Sequence, residues 1–85
     1  MGDGVRFNCV CPGTTDTPWV ERMVSSYADP TEARRKMVAR QPVGRLGTAE
    51  EITVAIAYLA GPDAAFVTGG ALSIDGGFTA FKLPA

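Results

Sequence analysis

Histidine is absent from the 85 residues, and cysteine occurs only twice. With no imidazole and two thiols, the chain cannot complete a structural zinc site from its own side chains. Cys9 and Cys11 lie two apart on a predicted strand, so both point to one side of it. Neighbouring positions of this kind are a poor geometry for a mutual disulfide, and the expectation is a pair of buried free thiols. Long apolar runs are missing too. The longest, around Val54 to Ala60, falls far short of the ~20 residues that span a bilayer. The start of the sequence lacks the basic, apolar and small-residue pattern of a secretory leader. Charge of one sign is also lacking, since eight basic residues stand against nine acidic ones for a net charge of -1. Nothing in that balance draws the chain to nucleic acid or an anionic membrane. The expectation is a cytoplasmic chain with no metal, nucleic-acid or membrane partner.

Hydrophobic residues make up 46% of the sequence and charged residues 20%, which is too apolar for a disordered chain. The ten glycines and six prolines fall between periodic segments rather than in a repeat. At this length the chain is one small domain at most, and residues 1–85 are treated as a single unit.

Val5, Phe7, Cys9 and Cys11 alternate with Arg6, Asn8 and Val10, which predicts a strand from Val5 to Cys11 that Pro12-Gly13 stops. A loop, Thr14 to Asp16, follows. Thr17-Pro18 then opens a helix with a side-chain cap and a proline at the first helical position. Trp19, Val20, Met23, Val24 and Tyr27 supply its apolar spacings. Asp29-Pro30-Thr31-Glu32 is a second start signal with Glu32 as capping-box partner. Ala33 and Met37 mark the inner face of that helix, and Glu32 can pair with Lys36 one turn on. Residues 18–40 therefore read as a helical hairpin or lid inserted between larger elements. Its basic cluster, Arg34, Arg35, Lys36 and Arg40, reads as a solvated face.

Residues 41–47 form a turn-rich connector. Thr48 and Glu51 cap the clearest helix, which carries Ile52, Ala55, Ile56 and Leu59 on one face and ends at Gly61-Pro62. Val54, Ala57, Tyr58 and Ala60 make its other side apolar as well, so it wants a sheet plus a neighbour or a subunit interface. The last strand is Ala71 to Ile74, followed by Asp75-Gly76-Gly77 and a short tail. One strand-helix-strand unit normally gives parallel strands. Two such strands under one helix leave a sheet face and the edges bare. Physical reasoning alone makes the sequence a piece of a larger α/β domain.

Five separated blocks then resemble one family. Asn8-Cys9-Val10-Cys11-Pro12-Gly13 is similar to the short-chain dehydrogenase/reductase signature at the end of the sixth strand, and Thr17-Pro18 follows at the family's spacing. Pro42, Gly44, Arg45 and Gly47 precede a Glu-Glu helix start, Tyr58-Leu59 lies near that helix's end, and Phe66-Val67-Thr68-Gly69 leads to a strand closed by Asp75-Gly76-Gly77. The likeness runs from about Gly4 to Phe78. It implies a fold class: the C-terminal part of a Rossmann-like, doubly wound parallel α/β sheet, with its last two strands, helical lid and last helix. The run through Cys11-Pro12-Gly13-Thr14-Thr15-Asp16-Thr17-Pro18 resembles the branch that oxidises 3-hydroxybutyrate or sugar-derived acids. Reductases of 3-oxoacyl carrier-protein substrates share most of the same blocks.

The resemblance also assigns expected roles. The Pro12-Gly13 turn would bend the chain across the nicotinamide side of NAD or NADP, the backbone at Thr15 would bond the carboxamide, and the Thr17 hydroxyl would approach the pyrophosphate. A loop past the carboxyl end of a parallel strand is where such sheets bind ligands, and a helix N-terminus favours an anion. Thr17 as a helix cap and nothing more is the competing reading. The two are compatible, because a hydroxyl can accept from an amide while donating to phosphate. Trp19, Val20 and Met23 fall in the segment that closes over substrate in the family, although core packing of a short helix also accounts for them. Asp75 reads as a turn former and Arg45 as a loop anchor. The helix 48–60 and strand 71–74 would form a homo-oligomer interface.

The family's proton-transfer machinery is a serine, a tyrosine with a lysine four residues on, and an asparagine. Neither Tyr27 nor Tyr58 is followed by such a lysine, and no glycine-rich turn lies between an opening strand and a helix. No catalytic residue is therefore assigned. The expected partner is the N-terminal part of the same domain, and the chain by itself is expected to bind no cofactor. Two further readings stand beside this one: a small interaction protein that reuses the family surface for pairing, and a fragment without a function of its own. We predict that the purified 85-residue chain shows no NAD-linked oxidation of 3-hydroxybutyrate or a sugar acid and unfolds without a cooperative thermal transition. Nicotinamide absorbance and calorimetry check the two halves of that prediction; measurable turnover or a sharp, compact-monomer melt would contradict it.

Overall fold

Two short parallel strands and the connection between them organise the chain in a computed structural model, which describes residues 2–81. In chain order these are β1 (Cys9–Pro12), β2 (Thr15–Asp16), α1 (Pro18–Ser25), α2 (Pro30–Ala39), β3 (Gly47–Thr48), α3 (Ala49–Ala60), a 3-10 turn (Pro62–Ala64) and β4 (Ala71–Ile74). β1 pairs with β4 in parallel, Cys9 opposite Ala71 and Pro12 opposite Ile74. The chain is thus α/β with the predicted βαβ connection.

The first strand is shorter than the alternation predicts. Residues 5–8 run beside the segment ahead of β4 but do not join the ladder. The Phe7 amide donates to Thr68 Oγ1 at 3.1 Å, the Gly69 amide donates to the Phe7 carbonyl at 2.7 Å, and Gly69 has φ +75°. A left-handed glycine turns the partner segment away, so regular pairing begins only where Cys9 N–H meets Gly70 O at 3.0 Å. Asn8 holds this junction from both sides: its Nδ2 donates to Val67 O at 2.9 Å and its Oδ1 accepts from Gly70 N–H at 3.0 Å. Arg6 adds bonds to Val67 O at 3.0 Å and Gly61 O at 3.3 Å.

The loop and the connector at residues 14–16 and 41–47 are less irregular than their composition suggests. Thr15 and Asp16 pair in parallel with Gly47 and Thr48. Sequence periodicity cannot register a two-residue strand. The helices start where the caps place them. Thr17 Oγ1 accepts from Val20 N–H at 3.4 Å, Asp29 Oδ1 from Glu32 N–H at 3.2 Å, and Thr48 Oγ1 from Glu51 N–H at 3.1 Å. Only the third start among these forms the full reciprocal box. At the second, Glu32 turns its carboxylate to Arg35, at 2.8 and 2.5 Å, rather than back to its helix start or on to Lys36.

Little of the chain is buried. Val20, Val24 and Leu46 form the apolar cluster, with Ala33, Met37 and Val38 packed against it. The core therefore lies inside the 18–40 hairpin and against the connector, not between sheet and α3. Ile52, Ala55 and Leu59 are half-buried, whereas Ile56 is exposed. Phe7, Val54 and Phe66 are 67%, 68% and 103% exposed. The Cα radius of gyration is 16.0 Å and the extents are 54 × 28 × 16 Å, against about 12 Å for a compact chain of this length. The accessible surface of 6267 Å² likewise exceeds the roughly 4,800 Å² usual for this mass. The two cysteines follow from the same geometry. Both are exposed, which corrects the expectation of buried thiols: among the described residues β1 has one strand neighbour, β4, and α3 leaves a hollow beside it. No helix among the described residues is long and apolar enough to cross a membrane.

Arg45 is the loop anchor its setting suggests. Its Nη1 and Nη2 donate to Glu51 Oε1 and Oε2 at 2.7 and 2.9 Å, and its Nη1 also donates to Leu46 O at 3.1 Å. Glu51 Oε1 further accepts from Thr48 N–H at 2.9 Å. The Arg45 guanidinium first, then these Thr48 bonds, hold the Glu51 carboxyl down from 4.5 to about 2. A carboxyl depressed in the fold stabilises it above its unfolded value and stops doing so as pH falls through the folded value. We therefore predict that α3 helicity, followed by circular dichroism, declines as pH drops from about 4.5 toward about 2. Glu51→Gln should be less helical at neutral pH and flatter across that window; an unchanged acid profile in the variant would contradict the assignment.

Candidate functional site

The site starts at the carboxyl ends of β1 and β4. Gly13 N–H donates to Ile74 O at 3.0 Å, one step beyond the ladder. At that step the two chains touch: a Cβ on Gly13 would lie 2.7 Å from Asp75 Cα and 2.8 Å from Asp75 Cβ. Real Cβ atoms do not approach backbone so closely, so glycine is required here by contact rather than by φ. Asp75 is tied down in turn. Its Oδ1 accepts from Gly77 N–H at 3.0 Å, and its Oδ2 accepts from the Thr79 amide at 3.1 Å and the Thr79 hydroxyl at 2.6 Å. These bonds, the Thr79 hydroxyl's first, lower its pKa. The turn-former reading of Asp75 is what the geometry shows.

From Gly13 the chain passes into β2. Thr14 O accepts from Gly47 N–H at 3.0 Å, and the Thr15 hydroxyl donates back to Gly13 O at 3.1 Å. The Thr15 hydroxyl is thereby engaged within the loop. Thr17 then caps α1 and Pro18 occupies the first helical position, where its missing N–H costs nothing. The long 3.4 Å cap bond uses the threonine oxygen as acceptor and leaves its proton available.

All seven site residues predicted from sequence line one cleft of about 680 Å³. Pro12, Gly13, Thr15 and Thr17 form its loop side, and Trp19, Val20 and Met23 project from α1. Val20 also belongs to the apolar cluster, so for that residue packing and wall are one role. Sequence reasoning missed the opposite side. Met37 arrives from α2 and Arg40 from its C-terminal cap, and Asp75, Phe78 and Thr79 from the turn after β4. For Met37 the helical spacing gave only an inner face. For Phe78 and Thr79 no local signal existed, since nothing but the β1–β4 pairing brings the turn beside the loop.

Arg40 is the cation of this lining, and among the described residues it has no carboxylate partner. The other members of its cluster are used differently: Arg34 bonds to Asp16 and Glu21, and Arg35 to Glu32. The single acid of the lining, Asp75, spends its carboxylate on its own turn. Partial desolvation, then Cys9 and Asp75, push the pKa of the Cys11 thiol, which also lines the cleft, upward. A second hollow of about 450 Å³ lies between α3 and β1, against Arg6, Asn8, Ile56 and Leu59. No cluster that could hold a metal ion occurs among the described residues.

A parallel strand whose carboxyl-end loop opens a cleft against a helix N-terminus, with a crossover helix leading to the neighbouring strand, defines the C-terminal part of a Rossmann-like α/β domain. A family model described as enoyl-(acyl carrier protein) reductase matches residues 1–79. Dehydrogenase/reductase SDR family member 6 of Aquarana catesbeiana is 47% identical over 76 residues, which are 89% of this chain and 31% of that relative. Cis-4-hydroxycyclohexanecarboxylate dehydrogenase of Sinomonas cyclohexanicum is 48% identical over 77 residues, 91% of this chain and 28% of its own. Among solved structures, a short chain dehydrogenase family protein from Francisella tularensis superposes with a TM-score of 0.86 at 34% identity, over 92% of this chain and 34% of that one. ElxO with NADP bound gives 0.78 at 32% identity, over 92% and 30%. The chain belongs to the short-chain dehydrogenase/reductase family. It spans about a third of the length of the curated relatives it matches.

Because Gly13 is fixed by contact, Gly13→Ala is predicted to destabilise the β1–β4 end by ~1–3 kcal/mol, the usual cost of forcing atoms into filled space. Amide exchange should accelerate at Cys11 and Ile74 while α3 amides are spared. Equal protection in the variant would mean that the loop can step aside.

Proposed function

We propose that the chain supplies the nicotinamide-side wall and the substrate lid of an NAD(P)-dependent oxidoreductase that interconverts a hydroxy acid and its keto acid. The observation that carries this reading is the single cleft. It joins the Pro12–Thr17 loop, the α1 lid residues and one cation, Arg40, that has no carboxylate partner among the described residues, within about 680 Å³. The donors present suit the cofactor: main-chain groups at Thr15, the free hydroxyl proton of Thr17 and the N-terminus of α1 match amide and phosphate oxygens. The neighbour that holds NADP and the family support the same cofactor class. When bound, the nicotinamide supplies the hydride chemistry.

Each of this chain's residues then has a bounded task. Thr15 and Thr17 orient the cofactor, while Trp19, Val20, Met23 and Met37 exclude water over the reacting carbon. Arg40 pairs with the substrate carboxylate and so fixes which end of the molecule faces the cofactor. The relative named for a hydroxycyclohexanecarboxylate supports a hydroxy acid. The general acid/base is not among these residues, since no Tyr-x-x-x-Lys occurs in the 85, and belongs to the remainder of the domain. That remainder is the chain's first partner and would cover the hollow between α3 and β1. The exposed side of α3, with Val54 and Tyr58, and strand 71–74 are proposed to pair with a second copy. The acyl carrier-protein description of the matching family model favours a second reading, a carrier-bound oxoacyl substrate that has no free carboxylate for Arg40.

The test joins this chain to the N-terminal two thirds of its amphibian relative. NAD(P)-linked turnover of a small hydroxy acid is expected. Arg40→Met should raise KM for the acid by roughly 10- to 100-fold, the size of a lost charge-assisted contact, while cofactor affinity stays within about twofold. A KM indifferent to Arg40, with turnover of oxoacyl thioesters instead, would select the second reading.

A further inference from the structure

Arg34 sits on α2 outside the cleft, yet it makes the only ion pairs that α2 forms beyond its own turns among the described residues. One nitrogen, Nη2, donates to Asp16 Oδ1 at 2.7 Å and to Glu21 Oε2 at 3.2 Å. The Arg34 side chain is 34% exposed and those of its partners 50% and 62%. Such exposed pairs contribute little to stability, so stability does not explain an arginine shared between two carboxylates on separate elements.

Position does. Asp16 is the residue between Thr15 and Thr17, and its backbone pairs with Thr48 through β2–β3. Glu21 lies on α1 within a turn of Trp19, Val20 and Met23. Arg34 itself is one turn before Met37 on the helix that Arg40 caps at its C-terminal end. The guanidinium is thus the charged junction of the three pieces that build the cleft: the loop on the cofactor side, the lid helix, and the helix that carries the cleft's cation. The apolar cluster of Val20, Val24, Met37 and Leu46 holds α1 against α2. It does not by itself fix the sliding of α2 along the Thr15–Thr17 loop, because apolar contact is not directional. A short charge-assisted hydrogen bond is directional.

We infer that Arg34 is a positioning residue that locks the substrate lid to the cofactor loop, setting the distance between Arg40 and Thr15–Thr17. The inference rests on the reading of the cleft as a cofactor and substrate site. Misplacement by about 1 Å at such a site costs up to roughly 100-fold in rate, which is how a weak exposed pair can matter.

Two measurements test it. Trp19, the sole tryptophan of the 85 residues, lies two residues before Glu21 and reports on the lid in the completed domain once any tryptophan of the added part is replaced by phenylalanine. Its fluorescence anisotropy should fall as salt rises to about 1 M, where the Debye length shrinks to about 3 Å. In Arg34→Gln it should start lower and ignore salt, and Arg34→Lys, which keeps the charge, should recover most of the response. In the completed domain, Arg34→Gln should lower kcat/KM for the hydroxy acid by roughly 10- to 100-fold with an unchanged melting temperature. Asp16→Asn should do the same, and the double variant should be no worse than either single one. The inference is overturned if Arg34→Gln keeps the wild-type anisotropy and salt response, or if it loses activity only in proportion to lost fold. A completed wild-type domain without turnover defeats the functional reading instead, and the anisotropy result still decides the lock.

Discussion

The contact between Gly13 and Asp75 is the constraint on which the rest of the structure depends. Four ladder pairs join β1 to β4, and the chains close to van der Waals contact one step past the last of them. That contact fixes where the loop leaves the sheet. It also fixes where the turn after β4 returns, because Asp75 uses its carboxylate to hold Gly77 and Thr79. The two walls of the cleft that come from opposite ends of the chain are thus set by one missing methyl group.

From this junction the order propagates through small elements. The loop becomes β2, β2 pairs with β3, and β3 carries the Thr48 cap of α3 and lies beside the Arg45–Glu51 pair. The hairpin packs its own small cluster and is tethered by Arg34. None of these pieces buries enough apolar surface to be compact. The extended shape and the exposed Phe7, Val54 and Phe66 are the complement of a chain that spans a third of its relatives' length.

Much was legible in the residues. Caps and helix-favouring prolines have local causes, so Thr17-Pro18, Asp29-Pro30 and Thr48 placed three helix starts correctly. Ala71 to Ile74 was legible as a strand between glycine turns. The first strand was overextended, because alternation persists through Phe7 and Asn8 while Gly69 carries the partner away. The cysteines were misjudged for a related reason: alternation says which side a residue faces, and only the layer count says whether that side is covered. Glu32 chose Arg35 over Lys36, since both are within reach on a helix and the planar guanidinium offers two parallel donors.

The sequence by itself determined the family, the order of the longer strands and helices and one wall of the cleft, all of which rest on contacts between residues close in the chain or on motifs read in order. Tertiary structure decided the rest. Pairing of β1 with β4 brings Asp75, Phe78 and Thr79 to Gly13 across some sixty residues, and hairpin packing turns Arg40 into the cleft and Arg34 onto Asp16. Such meetings depend on the register of strands and the docking of helices, which no local pattern encodes.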